Sequence, residues 1–195
     1  MPGLVCFIGA RLTPPLERRH MKKVILTILL FASGFGATAA RSEDEPLRTV
    51  PYVDISRYMG VWYELASYPQ WFSRNCFNTS ATYTRRSDGK VDVLNACHKG
   101  SPRGPIKKAK GIAYVANTET NAELKVSFFG PFYGDYWIVE LGDDYEYAVV
   151  SEPGRSTLWI LSRTTEMSPE KLEALLDRLK TVHGFDLSKL KFTRG

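Results

Sequence analysis

From about residue 60 onward, apolar and polar positions alternate in short runs. Runs near 61–68, 77–85, 90–97, 110–117, 123–128, 136–141, 145–151 and 157–163 are rich in Val, Ile, Thr, Tyr, Phe and Trp. Period-two alternation with that composition predicts β-strands. Asp88-Gly89 is a hairpin signal, and Asn117–Asn121, Leu141–Asp144 and Glu152-Pro153-Gly154 read as turns. One stretch has the other period. Leu172, Leu175, Leu176 and Leu179 form an apolar stripe at helical spacing, with Ser168 as N-cap, Pro169 in the first turn and Gly184 beyond the C-terminus. Closely spaced strands without intervening helices predict an antiparallel sheet that closes into a barrel or a sandwich. The expected fold is all-β, with eight antiparallel strands and one C-terminal α-helix packed outside. Residues 40–54 are polar, carry Pro46 and Pro51, and read as an extended arm.

The segment before that arm follows a different rule. Met21-Lys22-Lys23 is basic, Val24 to Phe35 is mostly apolar, and Ala37-Thr38-Ala39 supplies small residues for cleavage. This combination is a secretory signal peptide over residues 21–39. The apolar run is short for a bilayer span. Residues 1–20, which precede it, read as an over-extended leader, with Met21 as the expected start. No cysteine lies between Met21 and Ser42 to take a lipid, so the expected product is soluble in the periplasm or secreted, where disulfides form.

The charge changes meaning in this light. The chain has 195 residues, 26 Lys and Arg against 21 Asp and Glu, and a formal charge of +5. Such a balance would invite a nucleic-acid reading. Without residues 1–40, however, 21 basic and 20 acidic groups remain, a net of +1. No nucleic-acid partner is expected. The aromatic content of 12% survives the subtraction and is the better clue.

Several segments resemble the lipocalin family. Gly60-Val61-Trp62-Tyr63-Glu64 resembles its G-x-W-Y-E signature, and Asp144-Tyr145 resembles its second signature. Arg163 stands where lipocalins place the arginine that packs on the first-strand tryptophan. Leu124 to Gly134 and Leu158 to Thr164 read like the branch containing bacterial, plant and apolipoprotein D-like members. The resemblance covers about residues 50–192. It implies an eight-stranded antiparallel up-and-down lipocalin barrel over residues 55–195, and transport or storage of fatty acids or lysophospholipids in the bacterial cell envelope, in support of membrane maintenance. Many bacterial members of that branch are outer-membrane lipoproteins; the lipid-bearing cysteine is not seen here. Gly60, Trp62 and Arg163 are expected to close the barrel rather than bind ligand.

Such a barrel holds one small ligand. If the first strand runs from the closed to the open end, segments 69–76, 98–109, 129–135 and 151–156 lie at the mouth. Leu124, Val126 and Phe128 share a face, as do Val93 and Asn95. These are candidate wall residues, and equally the ordinary core of a small barrel. The resemblance adds Tyr133 and Trp159 to the pocket. Trp71 and Phe72 in the first mouth loop, with Phe129, Phe132 and Tyr133 in the third, fit a ligand cap, a peripheral membrane contact or a homodimer contact. They fit local packing around Pro131 as well. Lys107, Lys108 and Arg155 at the rim are candidates to attract an acidic headgroup. Cys76 begins the second strand and Cys97 ends the third, so a disulfide between them is expected, two free thiols being the alternative.

An enzyme is the competing class. His98 and His183 form no metal-spaced pair, and neither a G-x-S-x-G motif nor a phosphate loop is found. Cys97 and His98 are neighbours on a strand and point to opposite faces, which makes a poor dyad. Glu64, on the face of Trp62, is the one candidate general acid, for an isomerase or hydrolase acting on a lipophilic substrate. No catalytic residue, metal site or cofactor is assigned.

Overall fold

The computed structural model describes residues 45–193. The signal peptide and leader expected over residues 1–39 lie outside them. Asp54 opens a short helix, α1 (Ile55–Tyr58), by accepting from the backbone N–H groups of Ser56 and Arg57. The barrel strands follow: β1 (Gly60–Ser67), β2 (Cys76–Arg85), β3 (Val91–Lys99), β4 (Ile106–Val115), β5 (Glu123–Phe129), β6 (Phe132–Leu141), β7 (Tyr147–Ser151) and β8 (Leu158–Ser162). Each pairs antiparallel with the next, and β8 and β2 both pair with β1, so the ring closes. Helix α2 (Pro169–Thr181) and a two-residue strand, β9 (Lys191–Phe192), complete the chain.

The eight expected strands are all present, with shifted ends. β4 begins at Ile106 rather than 110 because it continues the ladder with β3, Cys97 facing Lys107 and His98 facing Ile106. Its lysines stay in water, which hides the alternation. β6 begins at Phe132 rather than 136, since β5 and β6 are joined through Gly130 and Pro131 alone, Phe129 facing Phe132. Two elements escape the sequence pattern. α1 is a single turn. β9 pairs with Ala66 and Ser67 of β1, beyond the rungs where β2 pairs with Gly60 to Tyr63.

Two apolar clusters flank the barrel wall. Trp62, Val93, Leu124, Ile138, Val150 and Leu161 belong to the one inside the ring. Leu175 and Leu179 of α2 meet Val139, Val149, Leu158 and Ile160 in the other, outside it. Every residue of β7 is therefore buried, because both of its faces are covered. Gly184 sits past the helix with φ +70°, where the amide of Phe185 donates to the carbonyl of Leu179 at 2.9 Å. That turn brings Phe185 back under the helix, where it is buried.

Candidate functional site

The end where β1 starts is sealed. Trp62 is fully buried, and its indole N–H donates to the carbonyl of Tyr58 at 2.8 Å. The Arg163 guanidinium lies 3.8 Å from the Trp62 ring centroid and donates to the carbonyls of Arg57 (2.7 Å), Val61 (2.9 Å) and Tyr145 (3.3 Å). One side chain thus ties α1, β1 and the β6–β7 turn across the barrel end. Gly60 belongs to this plug for a steric reason. Its φ is +95°, and a Cβ there would come 3.3 Å from Arg163 Nη1.

Above the plug, the floor of the interior is a cluster of phenols. The Tyr136 hydroxyl is 2.8 Å from that of Tyr58 and 2.9 Å from that of Tyr83. Burial pushes all three upward, Tyr83 to about 12, so the floor carries no charge at ordinary pH.

The wall above is built from small residues in register. Ala81, Asn95 and Ala109 form one rung across β2, β3 and β4. Val93 faces Gly111 on the next, and Ala113, Val126 and Gly134 face one another across β4, β5 and β6. The Phe128 ring fills the space over Gly111, where a Cβ would meet it at 2.9 Å. Leu124 and Val126 share the interior cluster with Val93, and Trp159 packs half-buried against it. Asn95 Oδ1 is buried with no hydrogen-bond partner among the described residues. An unpaired acceptor on an otherwise apolar wall is a fixed polar point in the interior.

Glu64 faces Leu161 in the ladder, beside a bulge that turns Ser67 toward it. Its carboxylate accepts from Ser67 Oγ at 2.8 Å and Thr193 Oγ1 at 3.1 Å. Burial pushes it above the ordinary carboxylate range, against the pull of those two hydroxyls. Neither histidine is its partner. His98 bonds the carbonyl of Gly104, and His183 lies outside the ring, 2.8 Å from Glu140.

At the opposite end, the Cys76–Cys97 disulfide joins β2 to β3. Gly100 N–H donates to the carbonyl of Asn75 at 2.8 Å, and Lys99 Nζ to that of Arg74 at 2.6 Å. These bonds fasten the β1–β2 loop to the β3–β4 loop. Lys107 shares the face of Cys97, whereas Lys108 shares that of Ala96, on the other side of the wall.

Two expectations change here. Tyr133 is not on the interior wall. Its ring meets that of Tyr114 edge-on, centroids 5.3 Å apart, and Tyr114 alternates with interior Ala113 and so faces outward. Alternation along β6 sets this orientation, since Gly134 faces interior Val126 and Tyr136 and Ile138 pack in the interior cluster, which leaves Tyr133 on the outer face. Arg155 is no rim cation. Its guanidinium donates at 2.7 Å to the carbonyls of His183 and Glu45, which draws it onto the outer wall beside the helix. Trp71 and Phe72, expected in the first mouth loop, form an edge-on pair there that is exposed to solvent. The small residues and the phenol floor were missed by sequence reasoning. Gly111 inside a strand was the available signal.

Residues 53–195 match the family described as "Lipocalin-like domain". The chain is 40% identical over 168 residues to the Outer membrane lipoprotein Blc of Escherichia coli K12, covering 85% of this chain and 94% of that protein. It is 39% identical over 161 residues to Temperature-induced lipocalin-1 of Arabidopsis thaliana, covering 78% and 84%. Its backbone is similar to that of insecticyanin from the tobacco hornworm Manduca sexta, with a TM-score of 0.62, 23% identity, and 76% and 84% of the two chains covered. A ring sealed at one end, with a helix outside it, defines a small-ligand barrel. The chain belongs to the lipocalin family. Among the described residues, no helix is long and apolar enough to cross a membrane.

Proposed function

We propose that this protein carries a single-chain lipid, a fatty acid or a lysophospholipid, in the bacterial cell envelope, in support of membrane maintenance. The observation that carries the reading is the interior: a ring plugged by Trp62 and Arg163, walled by alanines, glycines and valines in register, with an uncharged floor. An interior walled mainly by apolar side chains over neutral phenols suits an unbranched acyl chain. Lys107, on the inner edge of the mouth, attracts an acidic headgroup left near the rim. No bond is made or broken in this reading. Leu124, Val126, Phe128, Val93, Asn95 and Trp159 are the proposed contacts. The names of the bacterial relatives support an envelope location.

The test is a titration of the protein with oleate and with a lysophospholipid, read by native mass spectrometry. Val126→Trp, which fills the bore, is expected to weaken binding by about tenfold or more, since overfilling a packed interior costs about 1–3 kcal/mol. Absence of acyl-lipid binding by the unaltered protein would overturn the reading. The enzyme reading through Glu64 makes a different prediction. Turnover of a lipophilic substrate that Glu64→Gln abolishes while binding survives would replace the carrier by a catalyst.

A further inference from the structure

The open end exposes its largest apolar side chains. Trp71 is 74% exposed, Phe129 77% and Phe132 78%. Loose loops do not account for this. The loop carrying Trp71 is clamped to its neighbour by the disulfide and by the Gly100–Asn75 and Lys99–Arg74 hydrogen bonds. Phe129 and Phe132 flank a connection of only Gly130 and Pro131, which leaves no length to fold them back.

Their placement in the ring matters as much as their exposure. In the strand order, the β1–β2 and β5–β6 connections lie on opposite sides of an eight-stranded ring. The two aromatic tips therefore stand across the mouth from each other. Between them is the β3–β4 connection, which with the adjoining strand ends presents exposed Lys99, Arg103 and Lys108, while Arg74 adds a further cation from the first loop. Among the described residues, no ion pair engages Arg74, Arg103 or Lys108. Residues 69–76 and 98–109 contain no acidic residue, and Asp135 at the third connection is held by Lys125 at 2.7 Å. The fourth connection differs. Glu152 bonds the amides of its own turn, and Arg155 is drawn onto the outer wall.

Two apolar tips separated by a cavity mouth do not form one continuous apolar patch, as a protein contact would. A plane reaches both at once. Aromatic side chains favour the membrane interface, and unpaired cations beside them favour negative lipid.

We propose that the open end is a docking face for an anionic phospholipid bilayer, seated through Trp71, Phe72, Phe129 and Phe132 and held by Arg74, Arg103 and Lys108. The β3–β4 side lies closest to the lipid. Resting on the carrier reading above, this face lets an acyl ligand pass between bilayer and bore without crossing water.

The experiment is flotation of the full chain with vesicles of phosphatidylglycerol and phosphatidylcholine, and with vesicles of phosphatidylcholine alone. It compares the unaltered protein with Trp71→Ser/Phe129→Ser and with Arg74→Gln/Arg103→Gln/Lys108→Gln. All three proteins share residues 1–44, so any difference belongs to the mouth. Urea midpoints check that each variant folds. The unaltered protein is expected to float with the anionic vesicles, and less at high salt, with each variant weakened by about tenfold or more. Equal flotation of all three, equal binding to neutral and anionic vesicles, or no flotation of the unaltered protein would overturn the proposal. So would concentration-dependent dimers that the serine variant abolishes without changing flotation, which would assign the tips to a second copy. Acyl-lipid titration without vesicles reads the carrier function separately, so either reading can fail alone.

Discussion

Replacing Arg163 by Met keeps the bulk of the side chain and removes what the structure says it does. Three hydrogen bonds to backbone carbonyls are lost, at 2.7, 2.9 and 3.3 Å, together with the contact 3.8 Å above the Trp62 ring. The cation–π contact is worth about 1 kcal/mol at a partly desolvated site. Hydrogen bonds from a charged donor contribute about 1.5 kcal/mol each when buried, but water reaches this rim, so about 0.5 kcal/mol each is the fitting figure. The sum is about 2–3 kcal/mol. With a urea slope of roughly 1–3 kcal/mol per molar for a domain of this size, the midpoint falls by about 1–2 M. Arg163→Lys keeps a cation over the indole but cannot reach three carbonyls, and should lose about half as much. Equilibrium urea unfolding followed by tryptophan fluorescence measures both. If Arg163→Met loses less than about 0.5 kcal/mol, the ordinary range for surface substitutions, the plug does not hold the barrel end. If Lys and Met are equally destabilising, the charge over Trp62 contributes nothing.

Other outcomes follow from the same geometry. Cys76→Ser/Cys97→Ser opens a cross-link between residues 21 apart and should cost about 3 kcal/mol in the chain-entropy description, so reduced and oxidised forms of the unaltered protein must differ in urea midpoint. Leu175→Ala empties a fully buried position under α2 and should cost about 2–4 kcal/mol by thermal or urea unfolding, without touching the bore. The Glu64 carboxyl is pushed up by burial, so its contribution is fullest below the unfolded value near 4.5 and is lost as pH rises through the higher folded value; relative to Glu64→Gln, the unaltered protein should lose stability over that rise. Glu140 slopes the other way. Burial would raise it, but His183 and Arg178 prevail and lower it, so its stabilisation is present above the unfolded value and disappears on acidification, an effect absent from Glu140→Gln.

The legible parts of this protein are those governed by local periodicity. Alternation located β1, β2, β3, β5 and β8 within a residue or two, because one face of each meets an apolar interior and the other meets water or an outer partner. The leucine stripe located α2 for the same reason. Where the pattern broke, the cause is identifiable. β4 begins among lysines at its exposed end, and β6 begins beside a two-residue turn, so neither start alternates visibly. Tyr133 and Trp159 were assigned together to the pocket, yet only Trp159 packs on the interior cluster. Tyr133 falls on the outer parity of β6, opposite to Gly134 and Tyr136, and that parity is hidden while the strand is taken to begin at 136.

Alternating runs, turn residues and one helical stripe suffice, in this sequence, for an antiparallel barrel or sandwich with a helix outside, because each element must bury one face, while pairing of β1 with both β2 and β8 closes the ring. The plug was readable only through the resemblance to the lipocalins, which sets Gly60, Trp62 and Arg163 together. The tertiary structure alone decided where the polar groups went. Arg155 and Lys107 look alike along the chain, but the helix end captures one guanidinium while the ladder sets the other cation at the inner edge of the mouth. Tyr58, Tyr83 and Tyr136 are 25 and 53 residues apart in sequence and meet only when the ring closes. Hydrogen-bond partners are fixed by distances of about 3 Å between remote segments, and those distances exist only in the folded chain.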